Sequence, residues 1–325
     1  MTLTLASCLY LVACITLLHA LQSCSSEEKP KEPSPIDGAA AFAHLKAMVD
    51  LGPRPAGTAA LRANRDYIVA ELQKLGLAPK VDSFEKADKA PGITFHNVEC
   101  EIAGSDANEK RIIILGSHYD TKNADVADSP DRAMRFVGAN DAASSSALLI
   151  ELARWFKANP LKAPVLLLWF DGEESINWNW GDGERALFGS RHAADKLSLR
   201  FKRQLGRNVL AMVLLDMVGA KDLRIVKDTE SSPDLIELFA KTAKDLGYDK
   251  YFFKSQLAVT DDHLPFRQRG VRAIDLIQFG GAGSDESPWW HTHDDDIDII
   301  SKDSLAIVGH VVVRALPRIV EDFAK

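Results

Sequence analysis

Three uninterrupted apolar runs constrain this chain more than anything else in it. They are Ile112-Ile113-Ile114-Leu115, Val165-Leu166-Leu167-Leu168-Trp169-Phe170, and Val209 to Leu215. A strand with one wet face alternates apolar and polar residues, whereas a strand that is apolar throughout is covered on both faces. Helical spacing recurs between and around these runs. It is found at Ala39 to Leu51, Thr58 to Leu75 (closed by Gly76), Ala142 to Lys157, Ala186 to Leu197, Pro233 to Leu246 (closed by Gly247) and Ser301 to Ala324. His96 to Ile102 alternates as a half-buried strand, Leu223 to Val226 reads as an edge strand, and Arg272 to Ile277 as a further strand. Pro317 predicts a kink in the last helix. Buried strands alternating with helices define an α/β fold, a three-layer sandwich with a mostly parallel central sheet.

Composition excludes several function classes. The 325 residues carry 39 basic and 46 acidic side chains, a net charge of −7. Such a chain lacks the basic face that nucleic-acid binding requires. A hydrophobic fraction of 46% is enough for a large core. The four cysteines, at positions 8, 14, 24 and 100, include no Cys-x-x-Cys pair and are too few for a disulfide scaffold.

Residues 1–26 contain no charged side chain, and Leu3 to Leu21 is largely apolar, ending in Leu21-Gln22-Ser23-Cys24. This pattern reads as a lipoprotein signal peptide over 1–23, with Cys24 as the lipidated first residue of the mature chain. No Lys or Arg precedes the apolar run, and an uncleaved transmembrane anchor is the alternative. Residues 24–35, rich in charge and proline, read as a flexible tether, and 36–325 as one catalytic domain. Both readings put that domain outside the cytoplasm, on a bacterial periplasmic face or in the cell envelope, held to a membrane. Cys100 is then left without an intramolecular partner, as a buried thiol.

In parallel sheets, sites form at the carboxyl ends of the strands. The first apolar run is followed by Ser117-His118-Tyr119-Asp120, and the next loop holds Gly138-Ala139-Asn140-Asp141. The second run is followed by Asp171-Gly172-Glu173-Glu174 and the third by Asp216-Met217. Late in the chain stands Trp289-Trp290-His291-Thr292-His293-Asp294. One carboxylate after a strand means little, because Asp and Glu favour loops and helix starts. Five such placements deliver a nitrogen–carboxylate ligand set to one rim, and a set without thiolates suits Zn²⁺ in an open catalytic site. In the Glu173-Glu174 pair, one carboxylate can bind metal while the other shuttles protons beside it.

These stretches resemble the zinc aminopeptidase-like superfamily. Within it, Phe136-Val137-Gly138-Ala139-Asn140-Asp141, Glu173-Glu174 with Trp178, Leu187-Phe188-Gly189-Ser190-Arg191-His192, Asp261-Asp262-His263-Leu264-Pro265-Phe266 and Trp290-His291-Thr292 resemble the animal-type glutaminyl cyclases. The resemblance implies one Zn²⁺ per chain, held by Asp141, Glu174 and His291. Glu173 would be the general acid/base, with Asp216 and Asp261 hydrogen-bonding the reacting groups. Trp178 and Trp290 would wall the substrate pocket. In two-metal relatives the second ion would fall to His118 and Asp216. The implied substrate is a peptide or protein with N-terminal glutamine, acted on by a monomer. One departure stands out: Asp275 replaces the histidine of many animal-type cyclases. We group it with the substrate pocket, near Asp261 and Asp216, where clustered carboxylates must share a proton.

The remaining aromatic and histidine residues have simpler readings. Trp180 and one of Trp289 and Trp290 fall outside the pocket wall, and His293 is solvated. His263 is structural and bonds to backbone, His192 is a satisfied surface or core histidine, and His310 belongs to the core. Asp294-Asp295-Asp296 reads as a solvated turn. A zinc aminopeptidase shares the same ligand core and is the competing enzyme. A non-catalytic binding module is disfavoured by the intact Asp141, Glu173, Glu174 and His291.

Overall fold

Alternation within the apolar runs decides how the layers pack. In β3 (Ile112–His118), Ile113 and Leu115 face one core, whereas Ile112 and Ile114 face another. The same split separates Leu167 and Trp169 from Leu166 and Leu168 in β4 (Val165–Phe170), and Val213 and Leu215 from Met212 and Leu214 in β5 (Val209–Asp216). All three strands are buried along their whole length. Each fully buried Leu or Ile contributes roughly 1.5–3 kcal/mol. The computed structural model describes residues 32–181, 183–280 and 287–323. The signal peptide, Cys24 and the tether as far as Lys31 lie outside the described residues.

One face of the sheet is covered by α1 (Gly38–Val49), α2 (Ala59–Lys74), α3 (Ser145–Ala158), α6 (Pro233–Asp245) and α8 (Lys302–Phe323). Leu45, Leu72, Leu148, Phe239 and Val312 supply part of that core. The opposite face is covered by α4 (Phe188–Arg200) and the short α5 (Leu205–Asn208) and α7 (Leu264–Arg267), through Ala193, Leu197, Leu205 and Phe266. The main sheet has six strands in the order β1-β2-β4-β3-β5-β8. β4, β3, β5 and β8 (Ala273–Ile277) run parallel, while β2 (Thr94–Ile102) and β1 (Lys80–Glu85) are antiparallel additions on the β4 side. This is the expected three-layer sandwich, and its four parallel strands point their carboxyl ends at one rim. Among the described residues no helix is long and apolar enough to cross a membrane.

Several local expectations change. The edge strand lies at β6 (Ile225–Asp228) and pairs in parallel with β7 (Phe252–Leu257) in a separate two-stranded sheet. β1 and β7 carry no apolar run to signal them. α8 runs from Lys302 to Phe323 with Pro317 inside it, one long closing helix as expected. α3 starts at Ser145 rather than Ala142, because Asp141 and Ala142 take non-helical backbone angles inside a widened turn, Ala139–Ser144. Cys100 and His310 are both buried, as expected, and Cys100 is a free thiol among the described residues.

Candidate active site

The parallel strands deliver their terminal residues to one cleft. β3 ends in His118, β5 ends in Asp216, and Glu173 and Glu174 follow β4. Asp141 comes from the turn before α3, where Gly138 has φ +53°. A Cβ at Gly138 would lie 1.9 Å from the Asp141 carbonyl oxygen, so this approach requires glycine. His291 arrives from the loop before α8, with φ +52°. Left-handed backbone at a non-glycine residue is uncommon and concentrates at functional sites.

Asp141, Glu174 and His291 place one donor atom each within 4.8 Å of one another, and so do His118, Asp141 and Asp216. The two groups share Asp141. Its Oδ1 lies 3.1 Å from His118 Nε2 and its Oδ2 lies 3.4 Å from His291 Nε2. His291 Nε2 is also 3.0 Å from Glu174 Oε1, while Glu174 Oε2 is buried without a hydrogen bond. That oxygen lies 3.4 Å from Lys122 Nζ, and two carboxylates converging with an imidazole form a donor set whose chemistry fits Zn²⁺.

Around this set, carboxylates fix the loops. Asp120 accepts from the backbone N–H of Glu173 (3.3 Å) and of Glu174 (3.2 Å), and its Oδ1 lies 3.3 Å from His118 Nδ1. Asp295 accepts from Asn140 N (2.6 Å) and Asp141 N (3.0 Å). Asn140 Oδ1 accepts from Gly219 N (2.7 Å), which ties the Asp141 turn to the end of β5. Neither Asp120 nor Asp295 is identified from the sequence as a site residue. Asp295 is fully buried, so Asp294-Asp295-Asp296 is not a solvated turn. Its carboxylate must enter the protein to satisfy two orphan N–H groups of the adjacent loop.

The ionisation of the site follows from its neighbours. Burial pushes the His291 imidazole down, but Glu174 and Asp141 outweigh it and raise it to about 9. Burial pushes Glu174 up, but His291 and Lys122 hold it below the usual range. Glu173 goes the other way. Burial, then the charges of Glu174, Asp261 and Asp262, raise it well above a normal carboxyl despite His118. Burial and Asp216 push Asp261 up to about 7. Burial, then Asp261, Asp216 and Asp228, push Asp275 well above its ordinary value.

The cleft opens into a cavity of about 890 Å³, bordered by Asp141, Glu173, Glu174, Asp216, Asp261 and His291, with Trp178, Trp180, Phe279 and Trp290 as aromatic walls. Trp290 stacks on His291 at 3.9 Å, and the Trp178 ring lies 5.7 Å from it. Trp289 is buried and packs, and His293 is exposed. Trp180 lines the cavity, against expectation. Asp275 does not. It is fully buried behind the wall, paired in register with Leu214, because its strand-centre position turns the side chain into the packed layer. It adjoins His263, which is held by carboxylates rather than backbone, 4.0 Å from Asp275 and 3.1 Å from Asp228. His192 is half-buried, stacked on Phe84 and 3.1 Å from Asp82.

An α/β sandwich with two abutting His–carboxylate groups at its strand ends has the build of a metallo-exopeptidase. Residues 97–316 match peptidase family M28. The chain is 32% identical over 298 residues to a glutaminyl-peptide cyclotransferase of Drosophila melanogaster, covering 82% of this chain and 78% of that protein. It is similar to the crystal structure of an Acidobacteriales bacterium glutaminyl cyclase, with a TM-score of 0.78 and 31% identity, covering 89% of this chain and 97% of that one. Aminopeptidase YwaD of Bacillus subtilis is 29% identical over 210 residues, which is 63% of this chain and 40% of YwaD. The chain belongs to peptidase family M28 and, within it, to the glutaminyl-peptide cyclotransferases.

Proposed function

We propose that this enzyme converts the N-terminal glutamine of peptides or proteins to pyroglutamate, releasing ammonia. The carrying observation is the placement of Glu173, with its raised pKa, beside the Asp141–Glu174–His291 group in a tryptophan-walled cavity. Asp141, Glu174 and His291 would hold one zinc ion, which when bound supplies Lewis-acid polarisation of the substrate's γ-amide carbonyl. The nucleophile is the substrate's own α-amine, so the protein's main task is to hold the glutaminyl chain folded. Trp178 and Trp290 wall that chain in and exclude water, which would otherwise give hydrolysis. Glu173 accepts the proton released as the α-nitrogen bonds to the δ-carbon. It returns it to the amide nitrogen as that C–N bond breaks and ammonia leaves. Asp216 and Asp261 face the same cavity and are assigned to orient the reacting nitrogen atoms.

The second ligand group, His118–Asp141–Asp216, favours one alternative, a two-metal aminopeptidase. One experiment separates them. The zinc-loaded protein is incubated with a Gln-initiated dipeptide and the products are weighed by mass spectrometry. Cyclisation yields a product lighter by one ammonia. Free glutamine would overturn the cyclase reading. The uncharged, largely apolar residues before Cys24 support the reading of an exported chain with lipid on Cys24, and the enzyme is assigned as a monomer. Radiolabelled fatty acid should enter the native chain and not a Cys24→Ala variant, and size-exclusion chromatography should give one chain.

A further inference from the structure

One device recurs three times around the site: an aspartate side chain from one loop accepts hydrogen bonds from two successive backbone N–H groups of another. Asp120 does this for Glu173 and Glu174, and Asp295 for Asn140 and Asp141. Both hold residues assigned above to the chemistry. The third is Asp128, which accepts from Trp178 N (2.9 Å) and Asn179 N (3.0 Å), and from Asn179 Nδ2 (3.4 Å). Asp128 is exposed, 50 residues away along the chain, and holds the pocket wall instead of a ligand. The same two N–H donors, Asn179 before Trp178, keep its carboxyl below the ordinary range.

The segment it holds needs an external hold. Asn177-Trp178-Asn179-Trp180-Gly181 is polar and glycine-containing, with few apolar anchors to offset the entropy of ordering it. Among the described residues, Ile176 N donates to Arg185 O (3.0 Å) and Gly183 N to Trp180 O (2.9 Å), and Asn177 accepts from Ser175 Oγ (2.5 Å) and Arg185 Nη1 (3.4 Å), whereas Trp178 N and Asn179 N are met by Asp128. From beneath, buried Lys122 donates to Ser175 Oγ (2.6 Å) and lies 5.9 Å from the rings of both Trp178 and Trp180. Lys122 and Asp128 belong to one loop, which also sends Pro130 to the cavity rim. The wall therefore hangs between an inner cation and an outer carboxylate of a single neighbouring segment.

We propose that Asp128 is a positioning residue that sets the Trp178 wall and thereby the fit of the substrate's glutaminyl side chain. This rests on the cyclase reading. Asp128 bonds to the wall at Trp178 and Asn179 and is not among the charges that act on Glu173, so its loss weakens ground-state and transition-state binding alike. That signature raises KM and leaves kcat alone.

The test uses the full zinc-loaded chain. Asp128→Ala should raise KM for a Gln-initiated peptide roughly tenfold, with kcat within about twofold of the parent. Asp128→Asn, which keeps one acceptor oxygen, should fall between. In a Trp178→Ala background, Asp128→Ala should change KM less than about twofold, because the two act as one unit. Equal factors in both backgrounds, an unchanged KM, or a fall in kcat alone each overturn the proposal. Acrylamide quenching of tryptophan fluorescence, without substrate, reads the clamp separately. Asp128→Ala should increase quenching, and the increment should vanish when Trp178 and Trp180 are both phenylalanine. If the parent protein does not cyclise the peptide, the cyclase reading fails. Quenching then decides the clamp alone: an increment retains it and no increment overturns it.

Discussion

The two sides of the cleft treat buried carboxylates in opposite ways. On one side, Asp141 and Glu174 face His118, His291 and Lys122, and both are held below their ordinary range although burial alone would raise them. On the other side, Asp261, Asp262 and Asp275 are all pushed up, first by burial and then by neighbouring carboxylates: Asp216 acts on Asp261, and Asp261 acts on both Asp262 and Asp275. Asp275 meets the Asp261 carboxyl directly, and both Asp262 and Asp275 are fully buried. The residue type is the same and the neighbours decide. A carboxylate facing cationic groups stays charged and fit to bind metal, whereas a carboxylate facing its own kind keeps its proton. Glu173 sits at the boundary, with His118 3.9 Å away and the acidic cluster behind it, which suits a group that must both take and give a proton.

Four experiments test this division, from the largest expected effect to the smallest. His291→Ala on the charged side should abolish activity and bring zinc from about one ion per chain to near zero after dialysis. Retained metal would show that the ligand set is wrongly drawn. At the boundary, Glu173→Gln should keep its zinc and lose kcat by roughly 10²- to 10⁴-fold. Turnover at the parental rate would remove Glu173 as proton carrier. Asp120→Ala leaves the backbone N–H groups of Glu173 and Glu174 without their acceptor and removes the carboxylate nearest His118 Nδ1. Zinc affinity or activity should drop about 10- to 100-fold, measured by competition with a chelator. An unchanged affinity would make Asp120 incidental.

The acidic side is tested by pH. The Asp261 carboxyl, raised from 3.8 to about 7, holds its proton in the folded chain where the unfolded chain has released it. Its contribution to stability is complete below 3.8 and is lost as pH rises through about 7. Asp295, raised to about 8, acts in the same direction. The urea midpoint of chelator-treated protein should therefore fall between about pH 5 and pH 8. Asp261→Asn and Asp275→Asn should each flatten that fall, Asp275→Asn at least as much, because its carboxyl is raised well above its ordinary value and Asp261 only to about 7. A slope untouched by both would mean that the acidic cluster stays ionised.

The architecture was legible because its signal is local. Ile112 to Leu115, Val165 to Phe170 and Val209 to Leu215 are apolar throughout, and only a sheet covered on both faces can bury such strands. Most of the candidate site residues were legible for a related reason, since His118, Glu173, Glu174 and Asp216 end or follow those runs and parallel strands end on one rim, while Asp141 stands in the turn before α3. β1 and β7 were not legible, because their patterns are mostly exposed and their pairing is decided by a partner strand.

What tertiary structure alone decided is which of several identical residue types enter the protein and what they meet there. Asp294, Asp295 and Asp296 are one residue type in succession, yet only Asp295 is buried, because two N–H groups of the loop at Asn140, more than a hundred residues away in sequence, need an acceptor. Asp275 reads as a strand residue near the site, and only the register of β8 against β5 sets it behind the wall. Sequence determines periodicity and which side chains are available. Distances between segments far apart in the chain, and hence charge state and hydrogen-bond satisfaction, exist only once the sheet has brought those segments together.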